Sequence, residues 1–207
     1  MNRKKETELG ITYPSILMHH GRRVEKCVVC FHGYTAAPEQ FLELGNKLFE
    51  MGCNVYIPRL FLHGFPEKSM DTSSLTLSKL KEHLKASIAL AEGLANEVSV
   101  VGLSLGGVLS AQAIKEYTKI KKAVLVSPAF GFKIGPKVLN GLVGGLLKWM
   151  PQKTKKWAAL DSEVPAFRYD YFSTLALRGI LELAAEVKTG LKNWSVGDCV
   201  FLLFIEN

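Results

Sequence analysis

Short apolar runs alternate with stretches of helical periodicity along most of the chain. Lys26–Phe31, apolar from Cys27 onward, reads as a buried strand. Pro38 then opens a helix whose apolar positions, Phe41, Leu44, Leu48 and Met51, recur at spacings of three and four. Gly52 stands where a helix stops, and Cys53–Ile57 reads as the next strand, closed by Pro58. Between 73 and 94, Leu77, Leu80, Leu84, Ile88 and Ala91 share one face, the signature of an amphipathic helix. Glu97–Gly102 predicts a strand, Leu105–Tyr117 a helix and Ala123–Ser127 another strand. Strands alternating with helices in this way predict an α/β chain: a mostly parallel sheet covered by helices on both faces.

The rhythm breaks after Pro128. Residues 129–172 show no clear strand and many glycines, lysines and aromatics, so they read as an insertion of one or two short helices. Helical periodicity returns over Ser173–Val187, and Cys199–Ile205 reads as a last buried strand. No internal repeat or low-complexity linker divides the chain. The expected organisation is an N-terminal segment, 1–23, with room for a first strand, followed by one domain over 24–207.

Composition narrows the function classes. The 207 residues suffice for one full core, and 48% hydrophobic with 22% charged residues describes a folded globular chain rather than a disordered one. The net charge is +7, but the basic residues are scattered and the densest patch, Lys148–Lys156, belongs to no nucleic-acid module, so no nucleic-acid partner is expected. Cys27 and Cys30 form a C-x-x-C inside a strand. Residues three apart on a strand face opposite ways, so the thiols do not converge on a metal; they read as buried free cysteines of a reducing compartment. Met1–Gly10 is polar, without the apolar region of a secretion signal, and Val138–Leu147 is interrupted and too short to span a bilayer. These features point to the cytoplasm.

The candidate chemistry lies in two turns. Gly102, Ser104 and Gly106 make a G-x-S-x-G, extended by Gly107, between a predicted strand and a predicted helix. A serine at such a turn is pushed out over the sheet edge by a strained backbone, and side chains on the flanking glycines would collide with neighbouring helix and strand. The helix N-terminus below it offers unbonded N–H groups and a positive dipole end. The second turn, His32-Gly33-Tyr34-Thr35, follows the first strong strand. Acyl transfer needs two backbone N–H groups aimed at the oxyanion of a tetrahedral intermediate. Leu105, after the serine, is positioned to give one, and Tyr34 the other. Each motif alone is equally a plain β-to-α turn; the pair, about 70 residues apart, is the informative feature.

With these motifs in place, the sequence resembles the serine-aminopeptidase-type α/β-hydrolases, the group that includes carboxylesterases and monoacylglycerol lipases. The resemblance runs from about Val24 onward. It rests on His32–Thr35, on Asn54–Arg59 followed by His63-Gly64, on Gly102–Gly107 and on Val124–Pro128. It implies an α/β-hydrolase fold, a nucleophile at Ser104, an oxyanion hole at Tyr34 and Leu105 supported by His32, Gly33, Gly102 and Gly106, and no metal or cofactor. His63 matches a family loop histidine that is not the catalytic base. The insertion at 129–172 takes the place of the family's lid. Its apolar residues (Val138, Leu139, Leu142, Leu146, Leu147, Trp149) and its lysines suit an acyl-binding cap, a cap lying on a membrane surface, or a cap that merely packs on the core. The implied partner is a small acyl ester or lipid; the resemblance sets no oligomeric state.

A serine nucleophile needs a base and an orienting carboxylate, in the order Ser, Asp or Glu, His. The five histidines, His19, His20, His32, His63 and His83, all precede Ser104, and Ser127–Lys137 holds no carboxylate. The expectation is a domain incomplete at its C-terminus, lacking the acid, the base, a last strand and the last helices. Two readings stay open: a truncated esterase or lipase with weak or no turnover, and a non-catalytic protein that binds a ligand or partner through the same cleft.

Overall fold

The computed structural model describes residues 10–65, 72–131, 154–156, 165–191 and 199–203. Six strands form one sheet: β1 (Ile16–Met18), β2 (Val24–Phe31), β3 (Asn54–Ile57), β4 (Ala95–Leu103), β5 (Ile120–Val126) and β8 (Cys199–Leu203), in the order β1-β3-β2-β4-β5-β8. β1 runs antiparallel to β3; every other pairing is parallel. The register places Val29 between Tyr56 and Val100. Among the described residues four helices accompany these strands: α1 (Leu42–Glu50), α2 (Leu77–Leu94), α3 (Leu105–Glu116) and α4 (Thr174–Leu191).

Alternation along the strands builds two cores, one on each face of the sheet. Cys27, Val29 and Phe31 of β2 face one way and join Leu80, Leu84 and Ile88 of α2, Val108 and Leu109 of α3, and Ile180 and Leu183 of α4. Cys30 faces the other way, with Phe41, Val55, Ile57 and Val101 and the partly buried Leu48 and Phe49 of α1. The two thiols of the C-x-x-C therefore lie in different cores, free, and burial pushes each up to about 12. At the N-terminal end of β3, buried Asn54 ties three segments together. Its Oδ1 accepts from the His20 N–H at 3.0 Å, and its Nδ2 donates to the carbonyls of Arg22 and Leu94 at 3.1 and 2.9 Å.

Three sequence expectations need correction. Half of the stripe assigned to the first helix, Leu44 and Met51, is not buried. Pro38–Phe41 is a 3-10 turn ahead of the helix, and Phe41, Gly45, Leu48 and Phe49 are buried or half-buried while Leu44 is 39% and Met51, one residue past the helix, 79% exposed. The second helix begins at Leu77 rather than 73, because the Thr76 side chain caps it by accepting from the Lys79 N–H at 3.4 Å. The insertion contains strand: β6 (Thr154–Lys156) pairs antiparallel with β7 (Tyr171–Ser173). The short helices expected there, with the apolar residues between Val138 and Trp149, lie outside the described residues.

Candidate active site

β4 ends at Leu103 and α3 begins at Leu105, so Ser104 alone makes the turn. Its backbone, φ 55° and ψ −112°, lies in a region that residues with a Cβ avoid. The surroundings hold it there. The Ser104 N–H donates to the Val126 carbonyl at 3.0 Å, and its own carbonyl accepts from Val108 and Ala129 at 3.2 and 3.1 Å. The flanking glycines make room. A Cβ on Gly102 would strike the Gly106 carbonyl in α3, and one on Gly106 would strike the Phe31 carbonyl in β2. Leu105 is the first residue of α3, so its N–H has no acceptor within the helix.

The turn after β2 passes beside this serine. A Cβ built on Gly33 would lie 3.7 Å from Ser104 Cβ and 3.6 Å from the Leu103 carbonyl. The Gly33 N–H donates to Gln40 Oε1 at 2.8 Å, which commits that amide and fixes the loop. Buried His32 holds the loop from behind. Its Nε2 accepts from the Leu60 N–H at 3.0 Å, which leaves the proton on Nδ1 to donate to the Gly33 carbonyl at 2.9 Å. Thr35 sits at φ 64°. The Tyr34 hydroxyl is 2.7 Å from Thr72 Oγ1 and accepts from the Ser173 N–H at 2.9 Å.

His63 is wholly buried behind the same loop, with its ring 5.5 Å from that of His32 and 5.8 Å from that of Tyr34. Its Nδ1 lies 2.9 Å from the Phe61 carbonyl, while Nε2 has no hydrogen-bond partner among the described residues. Burial pulls His32 down to about 4 and His63 and His83 down to about 3, so all three are neutral near pH 7. Both nitrogens of His32 are committed to backbone. His83 packs edge-on to Phe31 at 6.0 Å. His19 and His20 stand by the N-terminal end of β3, since the His20 N–H bonds Asn54; Ser104 follows the C-terminal end of β4, the opposite edge of the parallel array. Among the described residues no cluster of His, Cys, Asp or Glu could hold a metal ion.

The structure thus brings Ser104, Leu105, Gly33 and Tyr34 to one sheet edge, with Gly102 and Gly106 beneath and His32 behind. Four contributors to this arrangement carried no sequence signal: Gln40, Thr72, Tyr169 and Ser173. Each acts through a hydrogen bond or bond pair to a residue from 7 to 139 positions away, which no periodicity records.

A serine at a strained strand-to-helix turn, on a mostly parallel sheet flanked by helices, is the architecture of the α/β-hydrolases. Solved structures share it. One of the metagenome-derived lipolytic enzymes LipS and LipT superposes with a TM-score of 0.74 at 18% identity, covering 95% of this chain and 88% of its own. The monoacylglycerol lipase of Paleococcus ferrophilus gives 0.65 at 19% identity, over 92% and 76%. Est1E of Butyrivibrio proteoclasticus gives 0.56 at 14% identity, over 92% and 72%. The chain belongs to the serine aminopeptidase S33 family, whose model matches residues 22–177. No curated protein sequence matches it. No helix among the described residues is long and apolar enough to cross a membrane.

Proposed function

We propose that the site is that of a serine hydrolase acting on carboxylic esters or lipids. Ser104 is the nucleophile, and the backbone N–H groups of Tyr34 and Leu105 form the oxyanion hole. The observation that carries this reading is the Ser104 backbone, held at φ 55° between β4 and α3 beside the His32–Thr35 turn. Attack of Ser104 Oγ on the ester carbonyl, with loss of its proton to a base, puts negative charge on the carbonyl oxygen. Two fixed amides stabilise that charge without reorganising. Collapse expels the alcohol, and water then releases the acid from the acyl-serine. A cap at 129–172, apolar with a basic tail, would seat the acyl chain. The lipolytic relatives support an ester or lipid as substrate, and the buried free thiols support a reducing, cytoplasmic setting.

The base is the point of division. No histidine follows Ser104, and His32 is committed to the loop. A polypeptide of these 207 residues alone is therefore expected to turn over weakly, and full activity requires a histidine supplied from outside it. The same observation favours a second reading, in which the cleft binds a ligand or partner without catalysis. Reaction with a fluorophosphonate separates them. Mass spectrometry should place the adduct on Ser104, slowly in the 207-residue chain and faster when the Asp- and His-bearing C-terminal segment of a related esterase is grafted on. Label at other serines, or none in either form, would refute the nucleophile assignment and leave the binding reading.

A further inference from the structure

The loop that carries Tyr34 is held by chain that returns from the insertion. The Tyr169 N–H donates to the Thr35 carbonyl at 2.7 Å, and its hydroxyl donates to the Phe65 carbonyl at 2.7 Å. Its side chain is buried, edge-on to His63 at 6.1 Å. Four residues later the Ser173 N–H donates to the Tyr34 hydroxyl, across a separation of 139 residues. That hydroxyl also meets Thr72 Oγ1, in the loop before α2. The held loop is one that would not keep its shape alone. Thr35 is β-branched and sits at φ 64°, where such residues are rare outliers.

We propose that the segment 165–173 is a strap that positions the oxyanion donor Tyr34, with Tyr169 and the Tyr34 hydroxyl as its two positioning groups. The proposal rests on the reading of the Tyr34 N–H as an oxyanion donor. Tyr34 is then fixed at both ends. Its backbone end is set by Gly33, bound to Gln40 and His32, and by the Thr35 carbonyl, bound to Tyr169. Its side-chain end is set by Ser173 and Thr72. An oxyanion hole works because its donors are aimed before charge develops, and a displacement of about 1 Å can cost about a hundredfold in rate. The strap supplies that aim from beyond the insertion, so the order of the oxyanion loop depends on how the chain leaves the cap region.

Tyr34→Phe and Tyr169→Pro test this: the first keeps the ring and removes the hydroxyl that meets Ser173 and Thr72, and the second removes the N–H that donates to Thr35. In the 207-residue chain, hydrogen–deuterium exchange should show the amides of residues 32–36 exchanging about tenfold faster in both variants, the loss of one or two hydrogen bonds. Tyr117→Phe, a partly buried tyrosine that packs against the core beside α3, should leave them unchanged. In the form bearing the grafted Asp and His segment, both variants should lower kcat about tenfold with KM within twofold, since an oxyanion donor acts in the transition state. A merely structural role would not give that split. Unchanged loop exchange, or a raised KM at constant kcat, would overturn the proposal while Ser104→Ala still abolished hydrolysis. If hydrolysis in the grafted form survives Ser104→Ala, the site reading itself has failed, and loop exchange alone decides whether the strap holds.

Discussion

Replacing Ser104 by glycine should make the protein more stable. With φ 55° and ψ −112°, Ser104 lies outside even the left-handed helical region that a few residues tolerate. Holding a side-chain-bearing residue in such a conformation costs about 1–3 kcal/mol. Glycine removes that strain but adds freedom to the unfolded chain, a cost of about 0.5–1 kcal/mol. The net gain is about 0.5–2 kcal/mol, or about 2–6 °C in Tm for a chain of this length. The proper reference is Ser104→Ala, which deletes the hydroxyl and keeps the strain, so the comparison of the two variants isolates the backbone. Calorimetry or thermal melts by circular dichroism, at matched concentration and pH, would measure it. An alanine variant as stable as the glycine variant, or more stable, would show that the turn is not strained and would remove the physical basis for reading it as a nucleophile elbow.

Other changes give equally direct outcomes. Gly106→Ala drives a methyl into the Phe31 backbone and should cost about 3 kcal/mol or more in urea denaturation, whereas Gly93→Ala, in open space on α2, should stabilise by about 0.5–1 kcal/mol. Asn54→Ala leaves one backbone N–H and two carbonyls without their buried partner and should cost about 2–4 kcal/mol by the same measurement. His32, His63 and His83 are held neutral with lowered pKa values, so the unfolded chain binds more protons than the folded one below pH 6.5. Stability is full above that pH and falls as pH drops toward 4, by up to about 1.4 kcal/mol per pH unit for each histidine. Urea midpoints at pH 7.5, 6 and 5 should show the decline, and His32→Gln should make it shallower; a flat profile would contradict it.

Much of this architecture is legible in the residues. The strands declare themselves because parallel strands buried on both faces are short, mostly apolar runs, as in Cys27–Phe31 and Val98–Val101. The Ser104 turn was legible because glycine is demanded at 102 and 106 by backbone contacts that no other residue survives. The first helix is only half legible, since Phe41 and Leu48 of its apolar stripe pack on the sheet and Leu44 and Met51 do not. Its apolar residues cover more of its circumference than the sheet buries, and periodicity does not say which of them stay outside. The strap was illegible for another. A backbone N–H donates whatever its side chain, so nothing in Tyr169 or Ser173 records that their amides reach Thr35 and Tyr34. The commitment of His32 to Leu60 and Gly33 is of the same kind: both bonds are to backbone groups, which no residue type records.

The central claim is that Ser104 is a nucleophile with its oxyanion hole built and its base missing from these residues. Hydrolysis of a short-chain nitrophenyl ester, followed in the 207-residue chain and in the form bearing a grafted Asp and His segment, each with and without Ser104→Ala, tests it most directly. Loss of a triad member leaves about 10³–10⁴-fold catalysis over water in serine proteases, through the oxyanion hole and binding. The short chain should therefore hydrolyse the ester slowly and be little changed by Ser104→Ala, while the grafted form should be faster and lose its gain in Ser104→Ala. Efficient, Ser104-dependent turnover by the 207-residue chain alone, purified free of other esterases, would contradict the account, because one of the upstream histidines would then have to serve as base.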